Sequence, residues 1–465
     1  MKDTWMYESL RVWARNYPRL SAPLRFCKGL LLLLVQALRF FRFLATYVWL
    51  SGRSRIPTKA RAESSPEIVM MVWSTLTVDP RVEREARALV AAGYRVKILC
   101  PELQPPAPMP DWGPGIDIKE ITYSATHTLE NFPWVVSTGM LDAALAENPW
   151  AYHAHDLNMA MTALAAADAK GVLCVCDFHE WYSENVSYDP VKLAYVPHSP
   201  LKRWIYQLVE KLVLKRASRV ITVCDSIAGE LAQMHPPTQP VAVIRNIPPR
   251  PKDAGAAPTI DLRKLLNVPA EKAILLYQGG LGPTRALEPL LQAMGKVRHA
   301  VLVIRGPGMD IFGPEYQRLA QASGAGGSVF CLPPVKSDRC VAEAKSADIG
   351  FWSLLPLCKN FTYALPNKIF EYLTAGLPLV CANHPEVARV VANYGVGRCF
   401  DPADPDSIAA AIDFLAGNAI ERARCRANIS RALEEMQADR EWEKMVALYR
   451  DLQEPPTIPA VKAAA

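Results

Sequence analysis

One alternation, repeated along most of the chain, constrains its fold more than any other feature. A short apolar run is followed by a loop, a segment with apolar residues at helical spacing, a glycine, and another short apolar run. Ile68–Trp73 (IVMMVW) is the first run and suits a strand buried on both faces. After the loop Ser74–Pro80, residues 81–92 place Val82, Ala86, Leu89 and Val90 at helical spacing and stop at Gly93. Tyr94–Cys100 is the next strand. The cycle recurs: Ala151–His155, Val172–Cys176 and Arg219–Val223 read as strands, and Asn158–Ala169, Lys202–Ala217 and Ile227–Met234 as helices. Parallel strands need a crossover, and a helix supplies it, so the pattern predicts a doubly wound parallel α/β sheet.

The alternation stops at a proline-rich stretch, Pro248, Pro249, Pro251 and Pro258, and then resumes. Ala273–Tyr277, Ala300–Ile304, Ser328–Leu332, Asp348–Trp352 and Leu379–Ala382 read as strands of a second sheet. A chain of 465 residues is too long for one core. The expected organisation is an N-terminal segment and linker (1–65), a first Rossmann-like domain (66–247), a linker (248–272), a second such domain (273–418) and closing helices with a tail (419–465). Helices 419–450 are expected to pack back on the first domain.

A composition of 50% hydrophobic and 21% charged residues excludes a disordered chain, a collagen-like fibre and a polytopic membrane protein. The net charge of +6 is unevenly spread. Residues 1–61 hold 12 Lys+Arg against 2 Asp+Glu, and the remainder holds 40 against 44, so the body has no global field suited to nucleic acid. The 11 cysteines show no zinc-ligand spacing and read as free thiols of a reducing compartment.

Residues 29–50 (GLLLLLVQALRFFRFLATYVWL) are long enough to span a bilayer, but Arg39 and Arg42 interrupt them. On a helical wheel Arg25, Lys28, Gln36, Arg39, Arg42 and Thr46 share one side. That pattern suits a helix lying in the cytoplasmic membrane interface, with its arginines towards anionic headgroups. A spanning helix and a helix packed on the protein's own body are the alternatives. Ser51–Pro66 reads as a linker.

Chemistry is expected beyond the carboxyl ends of the strands, where open α/β sheets bind ligands. In the first half these positions hold His155-Asp156 and Asp177-Phe178-His179-Glu180. Glu180, His155 and Asp156 are candidate catalytic groups and His179 a weaker one; Asp156 is equally a good helix N-cap by type. In the second half the strand 273–277 runs into Gln278-Gly279-Gly280-Leu281-Gly282-Pro283-Thr284-Arg285 before a helix. Such a turn aims backbone N–H groups and a helix N-terminus at an anion, and Arg285 adds bidentate geometry for phosphate. Gly306 follows the next strand in Arg305-Gly306-Pro307-Gly308. Leu365-Pro366 forces an extended approach, and Asn367-Lys368 then open a helix that ends at Gly376. A lysine in a first helical turn opposes the macrodipole, which a bound anion would offset. Glu371, three residues on, suits a ribose diol.

LPNKIFEYLTAGLP resembles the nucleotide-sugar motif of GT-B glycosyltransferases, closest to the bacterial family-four (glycosyl transferase group 1) kind. QGGLGPTRALEPLLQAM is similar to the same family's phosphate loop. HAHDLNMA, DFHEWYSEN, DPRVEREARALVAAGYRV and VITVCDSIAGEL resemble its first-domain segments, so the likeness runs in order over roughly residues 66–445. It implies two Rossmann-like domains facing across a cleft. Arg285 and Lys368 would lie on the phosphates and Glu371 on the ribose; Gly279, Gly280, Gly306 and Asn367 are the further candidate substrate-binding residues. No metal and no cofactor are implied beyond the nucleotide-diphosphate sugar as co-substrate. The family often has a Glu eight residues before Glu371; here it is Tyr363. The Arg often found after the phosphate-loop Gly is Gly280, and the Gly-rich loop expected after the first strand is Ser74–Arg81. The expected partners are a nucleotide sugar and a membrane surface or lipid-linked acceptor, at the cytoplasmic face of the membrane. A nucleotide-sugar epimerase and a non-catalytic membrane-bound partner are the rival readings.

Overall fold

The computed structural model describes residues 37–38, 40–53, 56–58, 60, 66–74, 76, 79–102, 109–121, 137–189, 194–250 and 257–453. A seven-stranded parallel sheet comes first: β1 (Glu67–Met71), β2 (Arg95–Pro101), β3 (Ile116–Ile121), β4 (Ala151–His155), β5 (Leu173–Phe178), β8 (Arg219–Thr222) and β9 (Ala242–Val243). Their order is β3-β2-β1-β4-β5-β8-β9. A small antiparallel hairpin, β6 (Val186–Asp189) and β7 (Ala194–Pro197), stands apart from this sheet. The flanking helices are α1 (residues 40–51), α2 (Pro80–Ala91), α3 (Thr138–Leu145), α4 (Asp156–Lys170), α5 (Pro200–Arg216) and α6 (Asp225–Met234).

The second sheet has six parallel strands: β10 (Ala273–Gln278), β11 (Ala300–Arg305), β12 (Val329–Leu332), β13 (Ile349–Trp352), β14 (Leu379–Ala382) and β15 (Gly397–Phe400). Their order is β12-β11-β10-β13-β14-β15. Its helices are α7 (Leu262–Leu265), α8 (Leu287–Met294), α9 (Met309–Ala322), α10 (Cys340–Ala344), α11 (Lys359–Thr362), α12 (Asn367–Thr374), α13 (Pro385–Tyr394) and α14 (Pro405–Ala416). Two long helices close the chain, α15 (Ala419–Glu435) and α16 (Ala438–Gln453). Every residue of β4, β5, β10 and β11 is buried, as strands covered by helices on both faces must be. In each sheet the order in which strands are added reverses between the first and fourth strands, β1/β4 and β10/β13, and the crevices open there at the carboxyl ends.

Strands with continuous apolar runs lie where the pattern predicted them, within one or two residues. β3 was not among them. It is an edge strand whose inner residues alternate with exposed charges, so it carries no apolar run. The hairpin β6–β7 is exposed and was missed for the same reason.

Residues 51–66 were expected to be a loose linker, and their described part is instead tied down. Ile56 is buried, Ser218 Oγ donates to the Pro57 carbonyl at 2.5 Å, and the Ala60 N–H donates to the Leu452 carbonyl at 3.1 Å. The expected N-terminal membrane helix lies partly outside the described residues. The part that is described, α1, packs one face on the first domain: Phe43 and Leu50 are fully buried, with Phe40, Leu44 and Tyr47 against the same core. Burying one such large side chain stabilises by roughly 1.5–3 kcal/mol, so α1 is part of the fold. Among the described residues no helix is long and apolar enough to cross a membrane.

The two domains are joined by α16, which crosses back onto α2. Its Tyr449 hydroxyl lies 2.7 Å from His153 Nδ1 in β4, and its Glu441 takes the Arg245 backbone N–H and guanidinium at 3.0 and 2.7 Å. Contacts across the crevice add to this joint. The Trp181 N–H donates to Asn360 Oδ1, and the Ser226 N–H to Glu386 Oε1, both at 2.8 Å.

Candidate functional site

The second domain presents a cationic corner at the carboxyl edge of its sheet. The chain leaves β10 at Gln278, held by a Tyr372 hydroxyl that accepts the Gln278 N–H at 2.8 Å. Gly279 and Gly306 then run side by side. The Gly279 N–H donates to the Arg305 carbonyl, and a Cβ on Gly306 would lie 1.8 Å from the Gly279 carbonyl oxygen. Lys368 lies across the bare face of Gly279, where a Cβ would meet its Cε at 1.7 Å and its Nζ at 2.4 Å. Glycine is therefore required at 279 to seat the ammonium beside the loop. Gly280 is held by its carbonyl, which accepts the Tyr277 hydroxyl at 2.8 Å.

Three helices, α8, α9 and α12, start at this edge, and none has a side-chain N-cap. α12 also lacks an acid in its first turn, so its free N–H groups and positive dipole end stand beside Lys368 uncompensated. Arg285 ends the loop as a short 3₁₀ turn, and Ala286 follows at φ 53°, a left-handed conformation in which glycine would be unstrained. Burial, and then the positive charge of Arg285, hold the Lys368 ammonium below its ordinary pKa, with Glu371 acting the other way. The two cations thus stand close enough to repel, which is what a shared diphosphate would relieve. Burial raises the Glu371 carboxyl, opposed by Lys368 and Arg84. Asn367 opens α12 and is half-buried at the same corner.

Arg84 and Arg305 were not singled out from the sequence, and Tyr363 only as a departure from the family pattern. Arg84, on α2 of the first domain, faces Glu371 electrostatically across the gap and is braced by Asn246 Oδ1 at 3.0 Å. Arg305 is buried behind the loop, with Nε on Gln278 Oε1 at 2.7 Å and Nη2 without a partner. Tyr363, at the position where the family often has Glu, turns to the first domain. Its ring stacks on Trp181 at 6.2 Å, and its hydroxyl donates to Glu230 Oε1 at 2.6 Å. Arg84 and Arg305 carried no signal in sequence, and the contacts of Tyr363 none, because they come from a domain contact or from burial.

On the first-domain side of the cleft, Asp156, His179 and Glu180 cluster beyond β4 and β5. Asp156 has φ 63°, a strained value for a non-glycine, and its Oδ1 accepts the His179 N–H at 2.9 Å. The expectation of an Asp156 N-cap is corrected by this: Asp156 starts α4, while His155 is the residue before it and makes no side-chain cap. His179 sits between Asp156 Oδ2 (3.6 Å) and Asp177 Oδ2 (3.1 Å). Burial alone would lower its pKa, but the two carboxylates outweigh it and raise it to about 10, so His179 is an imidazolium at neutral pH. Glu180 is exposed to the cleft, accepts a hydrogen bond from Asn185 Nδ2 at 2.6 Å, and has its carboxyl raised by the surrounding protein and by Asp156.

His155, expected among the catalytic groups, is set back from the cleft. It is buried, stacks on His153 with ring centroids 4.5 Å apart, and meets the cleft only through His179 Nε2, 3.2 Å from its Nδ1. Burial and the neighbouring histidines hold it neutral. Glu85, His153, His155 and Asp177 present possible ligand atoms within 4.8 Å of one another, a metal-like set. Arg81 already occupies its centre: its Nε lies 2.8 Å from both Asp177 Oδ2 and Glu85 Oε1, and its Nη2 donates to Asp177 Oδ1 at 3.0 Å. A metal cation there would displace or repel the guanidinium. Burial and Asp177 hold Glu85 well above the carboxylate range, so the pair Arg81–Asp177 balances without a second anion.

A cavity of about 600 Å³ opens beside the loop between Gly306, Asp310, Gln317, Leu332 and Pro333, large enough for a nucleobase.

Residues 77–246 match the glycosyl transferase 4-like domain, and residues 259–432 match the glycosyl transferases group 1 family. A D-inositol 3-phosphate glycosyltransferase of Catenulispora acidiphila is 26% identical over 220 residues, 44% of this chain. The alignment spans about half of that relative, 49% of its length. Sucrose-phosphate synthase from Thermosynechococcus elongatus is similar in fold, with TM-score 0.65 and 18% identity over 83% of this chain and 99% of its own. HepE from Anabaena, solved with UDP-glucose, gives TM-score 0.59 and 14% identity over 83% of this chain and all of its own (100%). These structures speak for the fold alone. With both halves matched in order and the two facing sheets in place, the chain belongs to the group 1 glycosyltransferases, of GT-B fold.

Proposed function

We propose that this protein transfers a sugar from a nucleotide-diphosphate donor to an acceptor hydroxyl on a membrane-bound or lipid-linked glycan at the cytoplasmic face of a membrane. One observation carries the donor half: Lys368 seated on Gly279, beside an uncapped helix N-terminus and within the field of Arg285. These groups would bind a diphosphate and stabilise it more strongly as it departs, because breaking the sugar C1–O bond leaves the electron pair on the leaving oxygen and adds one negative charge to the two it already carries; that is catalysis by differential binding. On this reading the two cations and the helix dipole take the part that a metal plays elsewhere. The ribose would lie on Glu371, with the base in the cavity beside Gly306. HepE binds UDP-glucose, so a UDP-sugar is the first donor to test.

The acceptor would enter against Asp156, His179 and Glu180. If configuration is retained, leaving-group stabilisation supplies most of the rate. If it is inverted, Glu180 is the general base, because it is open to the cleft and its raised pKa brings it nearer neutrality. Its neighbour His179, a fixed imidazolium, cannot accept a proton. The surplus of positive charge in residues 1–61 supports a membrane-borne acceptor.

Thermal unfolding with UDP, GDP and ADP, each against wild type and Lys368→Met, tests the donor half. One nucleotide is expected to raise the Tm of wild type and to lose that effect in the variant. Equal stabilisation of both proteins, or of neither by any nucleotide, refutes the assignment.

A further inference from the structure

Among the described residues thirteen large apolar side chains are exposed, and eight belong to one part of the first domain. They are Leu38 just before α1, three residues on α1, two on the hairpin β6–β7 and two in the first two turns of α5; the rest of that domain's described surface has none. On α1 the buried face is Phe40, Phe43, Leu44, Tyr47 and Leu50, so the helix has a second apolar face to spare. Phe41 and Val48 on that second face are each 66% exposed, and Trp49 beside them is exposed as well. A solvent-facing surface helix normally carries polar residues there.

α5 continues the pattern. Trp204, Lys211 and Lys215 are exposed at spacings of seven and eleven residues, which places them on one stripe, with Leu201 one turn before. The stripe is about 21 Å long at 1.5 Å per residue. It is apolar and aromatic at its start and cationic at its end. The cationic end is locked to α1: Arg216, next to Lys215, donates to the Leu50 carbonyl at 2.7 Å and to Asp168 Oδ1 at 2.7 Å. Arg53, just past α1, lies over the Trp49 ring at 4.8 Å and pairs with the same Asp168 at 3.2 Å.

We infer that the outward face of α1 and the Leu201–Lys215 stripe of α5 form a docking surface for an anionic lipid bilayer. Trp and Phe would seat at the level of the headgroups, and Lys211, Lys215 and the basic N-terminal segment would meet their negative charge. Charge complementarity decides the occupant: a protein partner would be served by the apolar face alone, whereas the surface is rimmed by lysines and residues 1–61, which include α1, carry ten surplus positive charges. Because α1 and α5 are packed into the first domain, the surface is rigid and would hold the acceptor side of the cleft at a set angle to the membrane. The inference rests on the reading of a membrane-borne acceptor, but binding is measured without any acceptor.

The full chain is sedimented with phosphatidylcholine vesicles with and without 30% phosphatidylglycerol. Wild type is expected to prefer the anionic vesicles and to lose binding as salt rises. Lys211→Gln and Lys215→Gln should each weaken partition about fivefold, and Phe41→Glu with Trp204→Glu at least tenfold. Circular dichroism checks that each variant is folded, and nucleotide stabilisation is read on the same samples. Unchanged partition in these variants assigns any binding to residues 1–36 and overturns the proposal, as does equal affinity for neutral vesicles. Vesicle binding without nucleotide binding would sink the transferase reading and leave this surface standing.

Discussion

Gly279→Ala isolates the role of the Lys368 ammonium without touching the lysine. The added Cβ would lie 1.7 Å from Cε and 2.4 Å from Nζ, where no two such atoms can sit. The obstacle is the end of a flexible side chain, so the lysine swings away. The residue is at φ +153°, a conformation that L side chains rarely adopt, so the substitution also costs about 1–3 kcal/mol of stability, read separately by denaturant unfolding. The cost to function adds to this. A hydrogen bond to a charged group contributes roughly 1.5–3 kcal/mol, and its loss in the transition state alone lowers kcat/KM by about 10- to 150-fold. Donor consumption is followed for wild type, Gly279→Ala, Lys368→Met and the double variant. The two changes remove one contact, so the double variant should be no worse than Lys368→Met. Multiplied losses in the double variant, or wild-type rates in Gly279→Ala, would refute the account of how this corner is built.

Two further outcomes follow from the same structure. Lys368 must be protonated to hold a diphosphate, so kcat/KM falls as pH rises through its depressed pKa; Arg285→Gln removes one cause of the depression, so the basic limb should move to higher pH while the plateau drops at least tenfold. An unmoved limb would mean that Arg285 does not share the site. Arg81→Met strips the buried Asp177 of its bidentate partner and should cost about 3–5 kcal/mol in denaturant unfolding of the first domain, whereas a loss under about 1 kcal/mol would show that the cluster is not charge-balanced as described.

The local build of the Gly279–Lys368 corner was legible because its parts are local. Gly279, Arg285, Lys368 and Glu371 sit in two short stretches whose turn and helix chemistry can be read directly. The first-domain residues were only half legible. His155, Asp156, His179 and Glu180 all follow strand ends, yet burial separates His155 from the others, and burial depends on what packs above a strand end. The N-terminal helix was read as lying in the membrane interface, with spanning the membrane and packing on the protein's own body as alternatives; which of its apolar faces is spent on the core depends on α5 and on the sheet below.

Local order along the chain determined the two parallel sheets, their helices and the anion-favouring loop, since apolar periodicity, glycine placement and proline act over a few residues. Only the tertiary structure decided that Arg84 faces Glu371 from the other domain, that Tyr363 stacks on Trp181, and that Arg81 neutralises Asp177. Those pairings join residues some 96 to 287 positions apart. No local preference can encode which charges meet in a low-dielectric interior, because the energy of each arises only when the intervening chain has folded and water has left.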